Sequence, residues 1–406
     1  MRRRHLQAPD NEPREVPGAD RDPARETPTR AGRRWLLRLC YSLVVGGVVL
    51  TWVLHDFSKP FQHRVSGFVC VGDQFLPPQE TSPDFVIFRN TPGYDGQFYY
   101  YVAKHPSARP DELRYLDIPA YRYQRIGYPL VARLLSFGNS SAIPSALLIT
   151  NLLGIFVSVI LLAVWFRERG IDPRYTLLFA LSGPLIYPLL RDLSEIVTAV
   201  FMIGGLLAYF RRRYWLGGLL LGYAMLSREL SFGIAMVLVV DWLFLQKQRR
   251  SWITPLLSSC IMFSWHLFVF FRTHATTYPF HSNFGMPGIA VLGHLRELLV
   301  SRPDVPLSEQ LILVTSVLII LLSIGTAVWE LIRSRHPLSL CLLGYSCMPL
   351  LQGTWVWVEP WAYCRMLVPS LTMLVLCFAH SGRRWYLVPL GLHASLFVSS
   401  LAWLLP

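Results

Sequence analysis

From residue 142 onward the chain is a near-continuous series of apolar runs broken by short polar connections. The runs are 142–166, 173–189, 192–210, 214–227, 230–246, 252–271, 309–331, 338–353, 364–380 and 385–404, and Trp35 to Leu54 makes one more. A helix that crosses the hydrocarbon core needs about 20 predominantly apolar residues. Inside the bilayer every backbone polar group must be satisfied internally, which leaves helices for runs of this kind. The pattern therefore predicts an all-α polytopic membrane protein with about eleven transmembrane helices. Composition agrees, with 53% hydrophobic and only 16% charged residues, against roughly 25% charged in an ordinary soluble domain. A soluble globular enzyme, a disordered chain and a single-anchor protein are excluded. The 214–227 run is short and holds Gly217, Gly218 and Gly222, which suits a close-packed helix. No repeat period is visible, so inverted-repeat transporter symmetry has no support.

Residues 1–34 are polar and rich in Arg, Asp, Glu and Pro. They hold too little apolar surface for a core, and they read as a disordered, Arg-rich cytoplasmic tail. Residues 35–406 form the polytopic domain. The first apolar run is long and no small-x-small site follows it, so it reads as an uncleaved anchor. With the tail inside, alternation puts five connections in the cytoplasm: 167–172, 211–213, 247–251, 332–337 and 381–384. Each is basic, through Arg167 and Arg169, Arg211 to Arg213, Lys247 with Arg249 and Arg250, Arg333 and Arg335, and Arg383 and Arg384. That is the positive-inside pattern. The polar segments 56–141 and 272–308 then face outward. The net charge of +13 lies in the tail and these connections, so the expected partner is a lipid bilayer and not nucleic acid.

Seven cysteines are scattered without C-x-x-C or Cys/His ligand spacing, which gives no structural zinc site. His274, His281 and His294 in the 272–308 segment also lack ligand spacing and read as solvated loop residues.

The outward connections differ in kind. They bring an arginine beside a carboxylate at the ends of the runs: Arg191-Asp192 with Glu195, Arg228-Glu229, and Glu359 with Arg365. A single pair of this type is an exposed ion pair of small worth or a snorkelling anchor. Three on one side, beside a long acidic segment, read as a site.

The first polar segment carries the sharpest motif, Thr91-Pro92-Gly93-Tyr94-Asp95-Gly96-Gln97-Phe98-Tyr99-Tyr100-Tyr101. Pro92-Gly93 marks a turn, and a helix of about ten residues follows, ending near His105-Pro106. Asp95 stands at its start. There it serves as an N-cap, or it presents a carboxylate oxygen to a substrate. A second motif, Leu116-Asp117-Ile118-Pro119-Ala120-Tyr121-Arg122-Tyr123-Gln124-Arg125-Ile126-Gly127-Tyr128-Pro129, sets two arginines among tyrosines. They are interface anchors or a bidentate phosphate site. Ile126 to Phe137 is too short to span and reads as an interfacial helix.

These two motifs resemble bacterial polytopic proteins of the GT-C glycosyltransferase superfamily, nearest to those linked with cell-surface glycopolymers. The segments Leu193-Ser194-Glu195, Leu226-Ser227-Arg228-Glu229 and Trp361-Ala362-Tyr363-Cys364-Arg365-Met366-Leu367 are similar to that group too, and the likeness runs over most of residues 35–380. It implies a GT-C-like fold in the bacterial inner (plasma) membrane, with a long outer first loop carrying short juxtamembrane helices. It implies transfer of a sugar from a polyprenyl-phosphate donor to a cell-envelope glycan, lipid or protein acceptor on the outer face. Asp95 matches the carboxylate that acts as base on the acceptor hydroxyl. Asp192, Glu195 or Glu229 stands where many members hold a second acid. Arg228, Arg365 and Arg122 are the candidates for the donor phosphate, with Arg125, Glu195, Glu229, Gln97 and Tyr99 as further substrate contacts. No Asp-x-Asp pair stands in the first loop, so no cofactor is expected and a divalent metal has no support. The alternative reading is a polytopic transporter or lipid-carrier flippase of envelope assembly. Transporters place ionisable groups near the bilayer midplane, whereas the charges here gather at the ends of the runs.

Overall fold

The structure is a computed structural model that describes residues 28–75, 85–109, 112–245, 249–275, 284–301 and 305–405. The tail up to residue 27, Lys247 and His281 lie outside the described residues. The first helix, Pro28–Ser58, begins inside the segment expected as tail. The fold is almost wholly helical, and the one sheet among the described residues is a two-residue parallel pairing of Val71–Gly72 with Ile87–Phe88.

Among the described residues, six helical segments are long and apolar enough to cross a membrane: Gly32–Phe61, Ser140–Glu168, Ile253–Thr273, Leu307–Ser334, Pro360–Ser381 and Arg384–Leu404. The helices Glu195–Phe210 and Tyr214–Ser227 and the segment Pro337–Leu351 are apolar but shorter. The apolar surface is what marks these helices as membrane-embedded. Val44, Val48 and Trp52 on the first helix point outward, as do Leu153 and Val157 on the Ser140–Glu168 segment and Leu318 and Leu321 on the Leu307–Ser334 helix. An apolar exterior this extensive suits lipid and not water.

Two expected continuous runs are broken. The 173–189 run splits into Pro173–Thr176, Leu177–Ala180 and Gly183–Leu190. Ser182 is extended there, and Pro184, in the first turn of the next helix, lacks the N–H that a continuous helix requires. The 230–246 run is α-helical only over Phe232–Val240 and continues as a π turn through Asp241–Leu245.

The helix Val368–Ser381 is the axis of the bundle, buried on every side from Val368 to Ala379. It packs against Ile143–Glu168, Glu195–Phe210 and Pro337–Cys347. The glycines of Tyr214–Ser227 allow its close contact with Ile253–Thr273: a Cβ at Gly218 would stand 2.9 Å from Leu257, and one at Gly222 2.7 Å from Ile261. Glu195–Phe210 and Tyr214–Ser227 run antiparallel. Glu195 and Arg228 therefore share one end of the bundle, and Arg211 to Arg213 lie at the other, roughly 24 Å away at 1.5 Å per residue. The short helices Asp95–Lys104, Pro119–Tyr123 and Gly127–Leu135 cover the first of these ends. All seven cysteines are free thiols.

Candidate active site

The turn before Asp95 is tied down by backbone donors. The Asp73 carboxylate accepts from the N–H groups of Asn90 (2.9 Å) and Thr91 (3.3 Å), and Tyr94 N–H donates to Cys70 O at 2.9 Å. Gly93 has φ of +73°, and a Cβ there would stand 2.7 Å from Cys70 O, so only glycine fits. The helix then opens with Tyr94 as its N-cap residue and Asp95 as its first helical residue. The capping expectation for Asp95 is thereby corrected, because its carboxylate turns away from the helix and toward two guanidinium groups.

Arg122 Nη1 donates to Asp95 Oδ1 at 2.7 Å, and Arg365 Nη1 donates to Asp95 Oδ2 at 2.6 Å. Arg122 is itself clamped by Asp117, with Nε on Oδ1 at 2.7 Å and Nη2 on Oδ2 at 2.6 Å. Its guanidinium lies over the Phe98 ring at 4.0 Å. Arg125 makes the same fork with Glu229, at 2.8 and 2.6 Å. Arg228 Nη1 pairs with Glu195 Oε1, and Arg365 Nε stands 3.8 Å from that same oxygen. Arg228 Nη2 reaches Met366 Sδ at 3.2 Å. Four arginines and four carboxylates from five stretches of chain thus form one linked cluster.

The partners differ from those that adjacency in sequence suggested. Glu229 binds Arg125 and not Arg228. Glu195 binds Arg228. Glu359 is exposed and makes no ion pair among the described residues, while its expected mate Arg365 binds Asp95. The physical reason is helix geometry. Arg228 has an extended backbone after the last helical residue, which sends its side chain and that of Glu229 to different neighbours.

Gln97 and Tyr99, expected among the substrate contacts, are buried and brace the frame. Gln97 Oε1 accepts from Gly72 N–H at 3.2 Å and its Nε2 donates to Pro92 O. Tyr99 hydroxyl bonds Ser194 Oγ at 3.1 Å, which fixes the first short helix to the start of Glu195–Phe210. The helix start sits so close to the backbone of Arg191 that a side chain at Gly96 would strike its carbonyl oxygen.

Burial alone would raise the Asp95 carboxyl, but the Arg365 and Arg122 charges outweigh it and hold the group well below the usual carboxylate range. Burial likewise opposes ionisation of Glu229, and Arg125 overrides it, bringing the group down to about 2. Asp192 is the opposite case. It is fully buried, both oxygens lack a hydrogen-bond partner, and burial pushes its carboxyl well above the usual range.

Two participants, Asp117 and Tyr94, escaped sequence reading, and Arg191, which the sequence set beside Asp192 and Glu195, stacks elsewhere. Asp117 clamps Arg122, and its only signal was an acid five residues before an arginine. Arg191 lies over Trp361 at 4.2 Å. Tyr94 lies under Arg365 at 5.2 Å. An apolar groove of about 310 Å³ between Phe232–Val240 and Pro337–Cys347 begins at Glu229, beside the cluster, and is lined by Leu230, Met236, Leu340 and Tyr345. Among the described residues no group of three or more His, Cys, Asp and Glu side chains is arranged to hold a metal ion.

Comparison with protein-family models, with curated proteins and with solved structures gives no match to this chain.

Proposed function

We propose that the chain is a membrane glycosyltransferase of GT-C type, with about eleven spans, in the inner membrane of a bacterium. In this reading the N-terminus is cytoplasmic and the charged cluster faces outward. It moves a sugar from a polyprenyl-phosphate donor to a glycan, lipid or protein acceptor of the cell envelope.

The observation that carries the reading is the Asp95 carboxylate lying between two guanidinium groups at the start of a short helix. Displacement at an anomeric carbon needs a base within hydrogen-bond reach of the acceptor oxygen and positive charge on the departing phosphate. Asp95 supplies the first. Arg365 and Arg228, held by Glu195, supply the second. The acceptor oxygen bonds to the anomeric carbon as the carbon–phosphate oxygen bond breaks. The hydroxyl proton goes to Asp95, and the bond electrons leave with the polyprenyl phosphate. The apolar groove that begins at Glu229 suits the carrier chain.

The test is purified protein in lipid nanodiscs with a short-chain polyprenyl-phosphate sugar and no ion gradient. Release of polyprenyl phosphate with transfer of the sugar supports the enzyme. Movement of the lipid across vesicle membranes without consumption of the sugar phosphate supports the flippase alternative instead.

A further inference from the structure

Each guanidinium of the charged cluster has a carboxylate of its own. Arg191 differs. It follows the helix Gly183–Leu190 at the same end of the bundle, where its carbonyl oxygen abuts Gly96. Its side chain makes no hydrogen bond or ion pair among the described residues, and Nη1 is buried without a partner. Glu359, close by in the chain to the ring that Arg191 covers, is exposed and does not pair with it. Three rings surround the guanidinium instead: Trp361 at 4.2 Å, Phe57 at 5.7 Å and Phe88 at 5.8 Å.

Rings stack on the flat face of a guanidinium, whereas its N–H donors point outward in its plane. The aromatic cage therefore holds the group in place and leaves its donor edge unused. A partly buried donor without an acceptor is costly, and an oxyanion taken by two parallel N–H groups removes that cost. Depth narrows the choice of oxyanion. Phe57 lies in the last turn of Pro28–Ser58, within a segment long enough to span, so Arg191 stands where hydrocarbon gives way to headgroups. The abundant oxyanion at that level is a phosphate ester. We propose that Arg191 in its aromatic cage binds the phosphate ester of a membrane lipid, at a site separate from the Asp95 cluster. The apolar groove that begins at Glu229 runs between Phe232–Val240 and Pro337–Cys347. The cage is built from other elements: the first helix, Ile87–Phe88 and Pro360–Arg365. The proposal does not depend on sugar transfer.

The experiment measures binding, with no turnover needed. Full-length protein in dodecyl maltoside, a detergent without phosphate, is titrated with oleoyl lysophosphatidic acid. Monooleoylglycerol and glycerol phosphate are separate arms. The proteins are wild type, Arg191→Gln, Arg191→Lys and Arg365→Gln, and thermal unfolding verifies that each is folded. Wild type prefers the phosphate lipid to monooleoylglycerol. Arg191→Gln weakens its binding about tenfold, as for a lost hydrogen bond to a charged group. Arg191→Lys weakens it as well, because the fork is lost while the charge stays, and this variant carries the test if Arg191→Gln does not fold. Arg365→Gln alters the affinity less than about twofold. Binding unchanged in both Arg191 variants overturns the proposal, as does equal affinity of wild type for the phosphate lipid and monooleoylglycerol. Weakening by Arg365→Gln as large as that by Arg191→Gln overturns the separation of the two sites. Glycerol phosphate bound as tightly as the lipid, and lost with Arg191, overturns the lipid as the source of the phosphate.

Discussion

Asp95 and Arg365 lie 270 positions apart in the chain, yet Arg365 Nη1 donates to Asp95 Oδ2 at 2.6 Å. One residue opens a short covering helix and the other closes Pro360–Arg365, just before the axial helix of the bundle. Asp95→Asn keeps the shape and removes the charge. Arg122 retains Asp117, so the variant folds. Sugar transfer from the polyprenyl-phosphate donor falls by ~10²–10⁴-fold, the range of acid–base catalysis. Near-normal turnover at matched protein levels takes Asp95 out of the chemistry.

Arginine, and not merely positive charge, is what the cluster uses. Arg365→Lys and Arg228→Lys keep the charge and lose the fork. Each lowers transfer by roughly 10²-fold, as for a lost donor to developing charge. Arg333→Gln, at an exposed position of the opposite end, leaves turnover unchanged. Steady-state rates of the three variants decide the matter, and lysine variants as active as wild type make the arginines of the cluster simple anchors.

Glu229 and Arg125 form a buried bidentate pair, with the Arg125 side chain only 4% exposed. Glu229→Gln strands that guanidinium and destabilises the protein by about 3–5 kcal/mol, the cost of breaking one partner of a buried pair. The double replacement Arg125→Met with Glu229→Leu removes both charges and recovers most of the loss. Thermal unfolding in one detergent compares them, and equal melting of single and double variants sinks the pairing.

Asp192 sits at φ +48°, a conformation that Asn tolerates as well as Asp, and its carboxyl is pushed up by burial. Below the unfolded value of about 3.9 the group is neutral in both states. As pH rises above that value the unfolded chain ionises while the folded one stays neutral, so stability falls with rising pH until the folded group itself ionises. Asp192→Asn has no such loss. Its melting temperature therefore gains on wild type between pH 4.5 and pH 7. A difference that stays constant across that interval refutes a neutral Asp192.

Charges at the ends of apolar runs were legible in the sequence, because an arginine or a carboxylate there has no reason to exist in a plain anchor. Glu195, Arg228 and Arg365 were found that way, Asp95 from its place after the Pro92-Gly93 turn, and the structure gathers them at one end of the bundle. Their pairing was not legible. Glu229 stands next to Arg228 in the chain, but partner choice depends on where Gly127–Leu135 and its neighbours set Arg125 in space. Gln97 was read as a substrate contact because it lies in the motif, and only the fold reveals that Gly72 N–H and Pro92 O engage its two polar atoms. The break in 173–189 was signalled by Pro184, which hydropathy alone passes over.

The charged cluster has a direction in time as well as in space. During synthesis Asp95, Arg122 and Arg125 leave the ribosome first, and Arg365 leaves some 240 residues after Arg125, at a position fixed by the sequence. Without Arg365, Asp95 keeps one guanidinium partner, Arg122, and Glu195 keeps one, Arg228. Closure of the cluster therefore coincides with arrival of the axial helix, and a chain released before that point lacks the residue that joins its two halves. Completion of the charge network is in this sense a record that the axial helix has reached its place.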